Sequence, residues 1–142
     1  MTNALATSDM NVNIIPDGSF NTVDMSSFEG AMQVANAINN STSLNDFVAK
    51  NPDAALIVVD MVVTPGVRKG RNGMPDTPCD DTRLILADGT ALMTQSSGIA
   101  RSARFIAGLC AAELHNGLLI KVHEQKLPNG NSIKTLEVIG KA

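Results

Sequence analysis

Three cationic side chains fall within four positions of one glycine-rich segment. Arg68, Lys69 and Arg71 lie in TPGVRKGRNGMPDTPCDDT, residues 64–82, and three aspartates follow them in the same stretch. Lys and Arg neutralise phosphate groups, and a flexible loop can lay them along a nucleic-acid backbone. The aspartates could pair with the cations instead, but such surface pairs contribute only about 0–1 kcal/mol. We therefore predict phosphate contact here, with a solvated loop that has no partner as the alternative.

The remaining candidate cations belong to the C-terminal half of the chain. Some alternate with apolar residues on the last two predicted strands, where an ordinary polar sheet face is the alternative interpretation. Two arginines lie one turn apart on a predicted helix, where they could bind nucleic acid, meet a neighbouring subunit or only keep the protein soluble. A histidine beside a phosphate would bind it better when protonated. The predicted nucleic-acid-binding residues are Arg68, Lys69, Arg71, Arg101, Arg104, Lys121, His123, Lys126 and Lys134.

Sequence patterns of catalysis and metal binding are missing. The chain has no GxSxG, P-loop or HExxH motif, and Cys79 and Cys110 are isolated rather than arranged as CxxC. The acidic pair Asp80-Asp81 could bind a metal, but it has no third ligand nearby and precedes a strand, where solvated acids are common. We expect a protein that is not an enzyme and that needs no metal or cofactor. Two isolated thiols also fit a reducing cytoplasm.

Charge is distributed unevenly along the 142 residues. The net charge is −3, yet residues 1–49 contain five acids and no base, or −5. Residues 50–142 contain the other nine acids and all eleven bases, or +2. A local field matters more to a polyanion than the total charge, so the acidic balance does not exclude nucleic acid. No apolar run reaches the ~20 residues of a membrane span and no signal peptide is evident, so we expect a cytoplasmic protein without membrane association.

The first 52 residues are predicted to form a partly helical N-terminal extension. Its start is expected to be loose, with at most a short strand at residues 11–15. Ser26 and Glu29 match a capping box that would open a helix running to Ile38. The apolar residues of this segment have no barrel to complete. We predict that they pack on the next subunit and build a homo-oligomer or filament.

Residues 53–142 are predicted to form five strands and one helix. The order strand–strand–strand–helix–strand–strand is that of the OB-fold, a partly open five-stranded barrel. In that fold the loop between strands 1 and 2 and the loop between strands 4 and 5 flank the binding face. The first of these is the basic loop at 64–82, and the second carries Lys126. The expected strands are 54–64, 82–87, 90–94, 118–124 and 133–139, with the helix at 99–113.

Two local expectations accompany this architecture. Asp88-Gly89 predicts a two-residue hairpin with a type I′ turn, in which both residues have positive φ. Phe105 belongs to an apolar helix and is expected in the core, which leaves Phe20 as a weak candidate for base stacking.

Two stretches of the C-terminal half resemble a known family. TRLILADGTALMTQSSGIARSARFIAGL, residues 82–109, and LLIKVHEQKLPNGNSIKTLEVI, residues 118–139, are similar to small OB-fold single-stranded-DNA-binding proteins of phages with protein-primed replication and of conjugative plasmids. The shared features are an apolar strand ending in ADG, an Ala-rich helix and a closing hairpin with GN in its turn. Those relatives contact DNA with aromatic residues, whereas the matching strands here contain none, which favours electrostatic contact.

The resemblance implies a non-catalytic function. It implies sequence-tolerant coating of single-stranded DNA, or of RNA, during replication or conjugative transfer of a mobile element. The alternative function is a protein-interaction or phage assembly module that does not bind nucleic acid.

Overall fold

One mixed sheet of seven strands organises residues 18–142. The computed structural model describes residues 18–142, so the predicted strand at 11–15 lies outside the described residues. The helices are α1 (Phe28–Asn39), α2 (Leu44–Lys50), α3 (Ser97–Leu109) and α4 (Ala111–Leu114). The strands are β1 (Phe20–Asn21), β2 (Thr42–Ser43), β3 (Leu56–Arg68), β4 (Thr77–Leu86), β5 (Ala91–Thr94), β6 (Leu118–Lys126) and β7 (Ser132–Lys141).

The long strand β3 is the centre of the sheet. The strand order is β2-β5-β4-β3-β6-β7, and all pairs are antiparallel except β2 with β5. One edge of β3 pairs with β4, while the other pairs with β6 at Leu56–Val58 and with β1 at Val62–Val63. The sheet curls into a half-barrel. The prediction of a mainly β protein with helices is confirmed.

Side chains alternate between two cores on opposite faces of this sheet. Met61 and Val63 point to one face and Val62 to the other, as expected from the two-residue period of a strand. A register shift between Val58 and Asp60, typical of a bulge, precedes this alternation. The inner core lies between the sheet and α3, and includes Leu44, Leu84, Leu92, Ile99, Ala103, Ile106 and Ile120. The outer core lies between the sheet and α1, and consists of Val23, Val34, Ala37, Val62, Ile85 and Ala91.

The segment before β3 contributes to both cores. Two of its short strands, β1 and β2, pair within the sheet, and Leu44 at the start of α2 is fully buried. The α1 helix begins one residue later than the predicted capping box: Ser27 is the N-cap and its hydroxyl accepts from the Gly30 N–H at 3.0 Å. The hydroxyl of Ser26 instead donates to Asp24 at 2.6 Å. The division at residue 52 stays a prediction about folding units.

The type I′ prediction at Asp88-Gly89 is wrong. Only Gly89 has a positive φ, 89°, and its N–H donates to the Leu86 carbonyl at 2.9 Å. The connection is therefore a type I turn followed by a left-handed glycine, a three-residue hairpin loop. The Asp88 carboxylate accepts from the Thr90 N–H at 2.9 Å, and this bond lowers the pKa of Asp88. The β6–β7 loop is closed in the same way by Gly130, whose φ is 88°.

The basic segment is mostly strand, whereas a long loop was predicted. The β3–β4 ladder continues from Thr64 opposite Asp81 to Arg68 opposite Thr77, which leaves only residues 69–76 as a loop. The Asp81 side chain covers Gly66 where a Cβ would lie, so a larger residue at position 66 would displace that carboxylate. We call residues 64–82 the arm and residues 69–76 its tip.

Candidate nucleic-acid interface

The arm is held against the segment that precedes α3. The Arg68 guanidinium donates to the Gln95 carbonyl oxygen. The Gln95 side-chain amide donates in turn to the Val67 carbonyl at 3.1 Å and to the Asp81 carboxylate at 3.0 Å. Gln95 therefore bridges both strands of the arm, and the position of Arg68 is fixed relative to α3.

The tip exposes its cations and is shaped by glycine. A Cβ on Gly70 would overlap the Met74 carbonyl, so only glycine fits there. Lys69 is 86% exposed, and its Nζ lies 3.6 Å from the Asp76 carboxylate, which also accepts from the Gly70 N–H at 2.8 Å. An exposed pair of this kind contributes about 0–1 kcal/mol, so a phosphate can displace Asp76. Arg71 is exposed and has no ion-pair partner within residues 18–142.

A second group of predicted residues lines one groove between α2 and the β6–β7 hairpin. Lys121, His123 and Lys134 all border this groove, which has a volume of about 630 Å³. The Lys134 ammonium lies 3.2 Å from the Asn45 amide oxygen, so it connects β7 to α2 across the groove. The predicted site residue Lys126 is exposed at the end of β6, outside the lining.

The groove contains as many acids as bases. Its three basic side chains face Asp53, Glu124 and Glu137, and the Lys121 ammonium lies 3.7 Å from the Asp53 carboxylate. The side chain of Asp53 is 92% exposed, so this pair is a surface pair of small energy. A phosphate backbone in the groove would compete with these carboxylates, which predicts weak binding that falls as salt rises.

The outer face of α3 combines arginines with exposed apolar side chains. Phe105 is 57% exposed and Leu109 is 83% exposed, so the prediction that Phe105 belongs to the core is wrong. The inward stripe of Ile99, Ala103 and Ile106 leaves Phe105 on the other side of the helix. The Arg101 guanidinium lies 5.7 Å from the Phe105 ring centroid, within the range of a cation–π contact.

Arg104 faces the arm rather than open solvent alone. Its guanidinium lies 3.7 Å from the Asp80 carboxylate, 5.8 Å from the centroid of the Phe20 ring and 3.3 Å from the Gly18 carbonyl. Phe20 is half-buried and packs against the inner core, so this weak stacking candidate has only part of its ring accessible.

The start of α3 connects the two groups of predicted site residues. Gly98 packs directly on the Lys134 carbonyl of β7. Gln95 lies three residues before Gly98, and its carbonyl accepts a hydrogen bond from Arg68. The start of α3 therefore lies between Arg68 of the arm and the backbone of Lys134, whose side chain borders the groove. The structure brings Lys121, His123 and Lys134 together in the groove, and places Arg68, Lys69 and Arg71 at the end of the arm.

A buried carboxylate was missed by the sequence argument. Asp60 on β3 is only 6% exposed and accepts from the Thr22 hydroxyl at 2.7 Å and from the Gln33 amide at 3.4 Å. The His115 Nδ1 lies 3.0 Å from the same carboxylate. The available signal was a single charge within an otherwise apolar strand. The Asp60 carboxylate therefore connects β1, α1 and His115 to the centre of the sheet.

Arg83 carries a second buried charge, and its guanidinium contacts neighbouring residues of the sheet. Its Nη1 donates to the Thr64 hydroxyl at 2.9 Å, and its Nη2 lies 3.9 Å from the Asp81 carboxylate. Burial lowers the pKa of the Arg83 guanidinium, while Asp81 raises it.

Burial also raises the pKa of the Cys79 thiol, and Asp81 raises it further, so this thiol is a poor nucleophile at neutral pH.

The described residues could bind a partner through cations on the arm and in the groove and through apolar side chains on α3. Between residues 18 and 142, no three His, Cys, Asp or Glu side chains are grouped closely enough to hold a metal ion. In the same part of the chain, every helix is too short or too polar to cross a membrane. The chain matches no family model, no curated protein and no solved structure.

Proposed function

We propose that this protein binds single-stranded nucleic acid without catalysis and with little sequence selectivity, coating DNA during replication or conjugative transfer of a mobile element. The observation that carries the proposal is the arm: three exposed cations at the end of a two-stranded projection in an otherwise acidic chain. Gln95 binds both strands of the arm, so Arg68 stays close to the start of α3.

The strand pairing supports an OB-fold as the architecture behind this function. β3, β4 and β5 form a meander, β6 pairs with β3, β7 pairs with β6, and α3 lies between β5 and β6 in the chain. We propose these five strands as the partly open barrel of an OB-fold. The tip then corresponds to the loop between its first two strands. The turn after Lys126 corresponds to the loop between its last two, and these two loops flank the binding face of such barrels.

Replacement of aspartates by phosphates as the ion-pair partners of two lysines would provide the binding energy. In the unbound protein Lys69 faces Asp76 and Lys121 faces Asp53, and both pairs are exposed to water. A phosphate backbone would replace these aspartates and release its condensed counterions, which makes affinity depend on salt. Sequence would matter little, because phosphate contacts do not distinguish bases.

A salt titration tests the proposal. Lys69→Ala combined with Arg71→Ala removes two cations from the tip, so the slope of log K against log salt should become shallower by about 1.4, since each phosphate contributes about 0.7 on single strands. Raising salt from about 50 to 200 mM should then weaken the wild type about sevenfold more than the variant. Fluorescence anisotropy with a labelled oligonucleotide measures both quantities.

A matched control carries the same change of charge. Lys50 and Lys141 are exposed and belong to neither the tip nor the groove lining, so Lys50→Ala with Lys141→Ala should change the slope much less. Equal effects of the two double variants would show that only net charge matters and would refute the role of the arm. If the labelled oligonucleotide does not bind the wild-type protein at low salt, the whole proposal is refuted.

That last outcome would favour the alternative function, a protein-interaction or phage assembly module. The observation on its side is the exposure of large apolar side chains on two helices, including Phe28 at 76% and Leu109 at 83%.

A further inference from the structure

Two helices present apolar pairs to solvent at the same spacing. On α1, Phe28 is 76% exposed and Met32 is 46% exposed. On α3, Phe105 is 57% exposed and Leu109 is 83% exposed. Residues four apart lie on one side of a helix, so each helix has an outward apolar ridge opposite the side that it buries in its core.

The charges beside the two ridges are opposite. Asp24 and Glu29 flank the α1 ridge and are exposed, and no base occurs anywhere in residues 1–49. Hydrogen bonds from Ser26 lower the pKa of Asp24, which keeps it ionised at neutral pH. Arg101 and Arg104 flank the α3 ridge and are exposed, and Arg104 also lies 3.7 Å from the Asp80 carboxylate, which a partner's acid would have to replace. Charge complementarity of this kind steers association and fixes its register, while the apolar ridges supply buried area.

The two ridges cannot meet within one molecule. The α1 helix packs on the outer core and α3 on the inner core, which lie on opposite faces of the same sheet. Among residues 18–142 neither ridge therefore reaches its complement, whereas a second copy of the chain offers that complement to each. Contact between two different patches is heterologous, and it continues into a chain of subunits unless the rotation between them closes a ring.

We propose that a second copy of this chain docks its α1 ridge, with Asp24 and Glu29, on the α3 ridge, with Arg101 and Arg104, to give a head-to-tail assembly. Phe28 and Met32 would cover Phe105 and Leu109, and the four charges would lie around this contact. The inference does not require nucleic-acid binding. It uses Arg101 and Arg104 as contacts to protein, so their predicted contact with nucleic acid is the competing assignment.

Complementation of two blocked variants tests the arrangement. Phe28→Gln with Met32→Gln blocks only the α1 ridge, and Phe105→Gln with Leu109→Gln blocks only the α3 ridge. Glutamine adds no charge and is a good helix former, so each variant should fold, which circular dichroism checks. Light scattering after size exclusion should give a wild-type mass that rises with concentration. Each variant alone should stay at the 14.9 kDa of one chain.

The mixture of the two variants is the decisive sample. Each variant keeps one intact ridge, so the pair should form a single interface and stop at twice 14.9 kDa. Val67→Gln with Met74→Gln is the matched control, because these arm residues are 56% and 69% exposed and belong to neither ridge. Its assembly should equal that of wild type.

Two results on mass alone would overturn the inference. They are a wild type that is monomeric at every concentration and a mixture of variants that stays monomeric. If blocking the α3 ridge lowers oligonucleotide affinity without changing the mass, that ridge belongs to the nucleic acid instead. This last result would overturn the assembly while leaving the proposed function intact.

Discussion

Asp60→Asn is expected to lower the free energy of unfolding by about 3 kcal/mol, because hydrogen bonds to a charged group contribute about 1.5–3 kcal/mol each. The carboxylate accepts from the Thr22 hydroxyl and lies 3.0 Å from the His115 Nδ1, at a site that is 6% exposed. The Asn side chain has the same shape, but its amide nitrogen carries two N–H donors. These would lie next to the Thr22 hydroxyl and the His115 ring, which face the carboxylate in the wild type. A buried donor without an acceptor costs about 1–3 kcal/mol.

Asp53→Asn is the matched control for this effect. Its side chain is 92% exposed, and its carboxylate lies 3.7 Å from the Lys121 ammonium. The same chemical change there should alter stability by about 0.5 kcal/mol or less. Urea unfolding followed by circular dichroism measures both variants. If the two free-energy changes agree within error, Asp60 does not hold the N-terminal segment to the sheet.

Gly98→Ala is expected to destabilise the protein by about 2–3 kcal/mol, although alanine usually favours a helix. A Cβ at this position would overlap the Lys134 carbonyl oxygen, which is backbone and cannot rotate away. Overpacking of this kind costs about 1–3 kcal/mol and sometimes more. The start of α3 would have to move away from β7, and the groove that Lys134 borders would widen with it.

Gly108→Ala on the same helix should have the opposite sign. No atom lies within 4 Å of a Cβ built there, so only the helix propensity remains. That term favours alanine by about 0.5–1 kcal/mol. Thermal unfolding of the two single variants at low protein concentration compares them directly. Equal shifts of the melting temperature for both variants would mean that the contact between Gly98 and β7 is not close.

Local patterns in the sequence were sufficient for the order of the strands after residue 53, whereas the one helix predicted at 99–113 is divided at Cys110 into α3 and α4. Runs of β-branched residues, the turns at Gly89 and Gly130 and the apolar stripe on α3 each have a local physical cause, and all are found in the structure. The boundaries of β3 and β4 were not predictable in this way. Their ladder extends through Pro65 and Gly66 because the two strands pair with each other, and that pairing is a tertiary effect.

The partners of Asp60 had no local signal at all. Thr22 and Gln33 lie 38 and 27 positions away in sequence, and only the fold brings them to β3. Phe105 was misassigned for a different reason: hydrophobicity was counted along the helix, whereas burial depends on the direction of each side chain around it. The candidate site was predictable as a set of cations, but the carboxylates that share the groove were not.

The last strand of the sheet has a further consequence. Within residues 18–142, β7 is hydrogen-bonded to a neighbour on one side only, and it is ten residues long. An open strand edge can recruit strands from other molecules and seed aggregation. The start of α3 packs on the Lys134 carbonyl of β7, and Glu137 and Lys141 add charged groups further along the strand, so we expect the helix and these hydrated charges together to oppose pairing with a strand of another molecule.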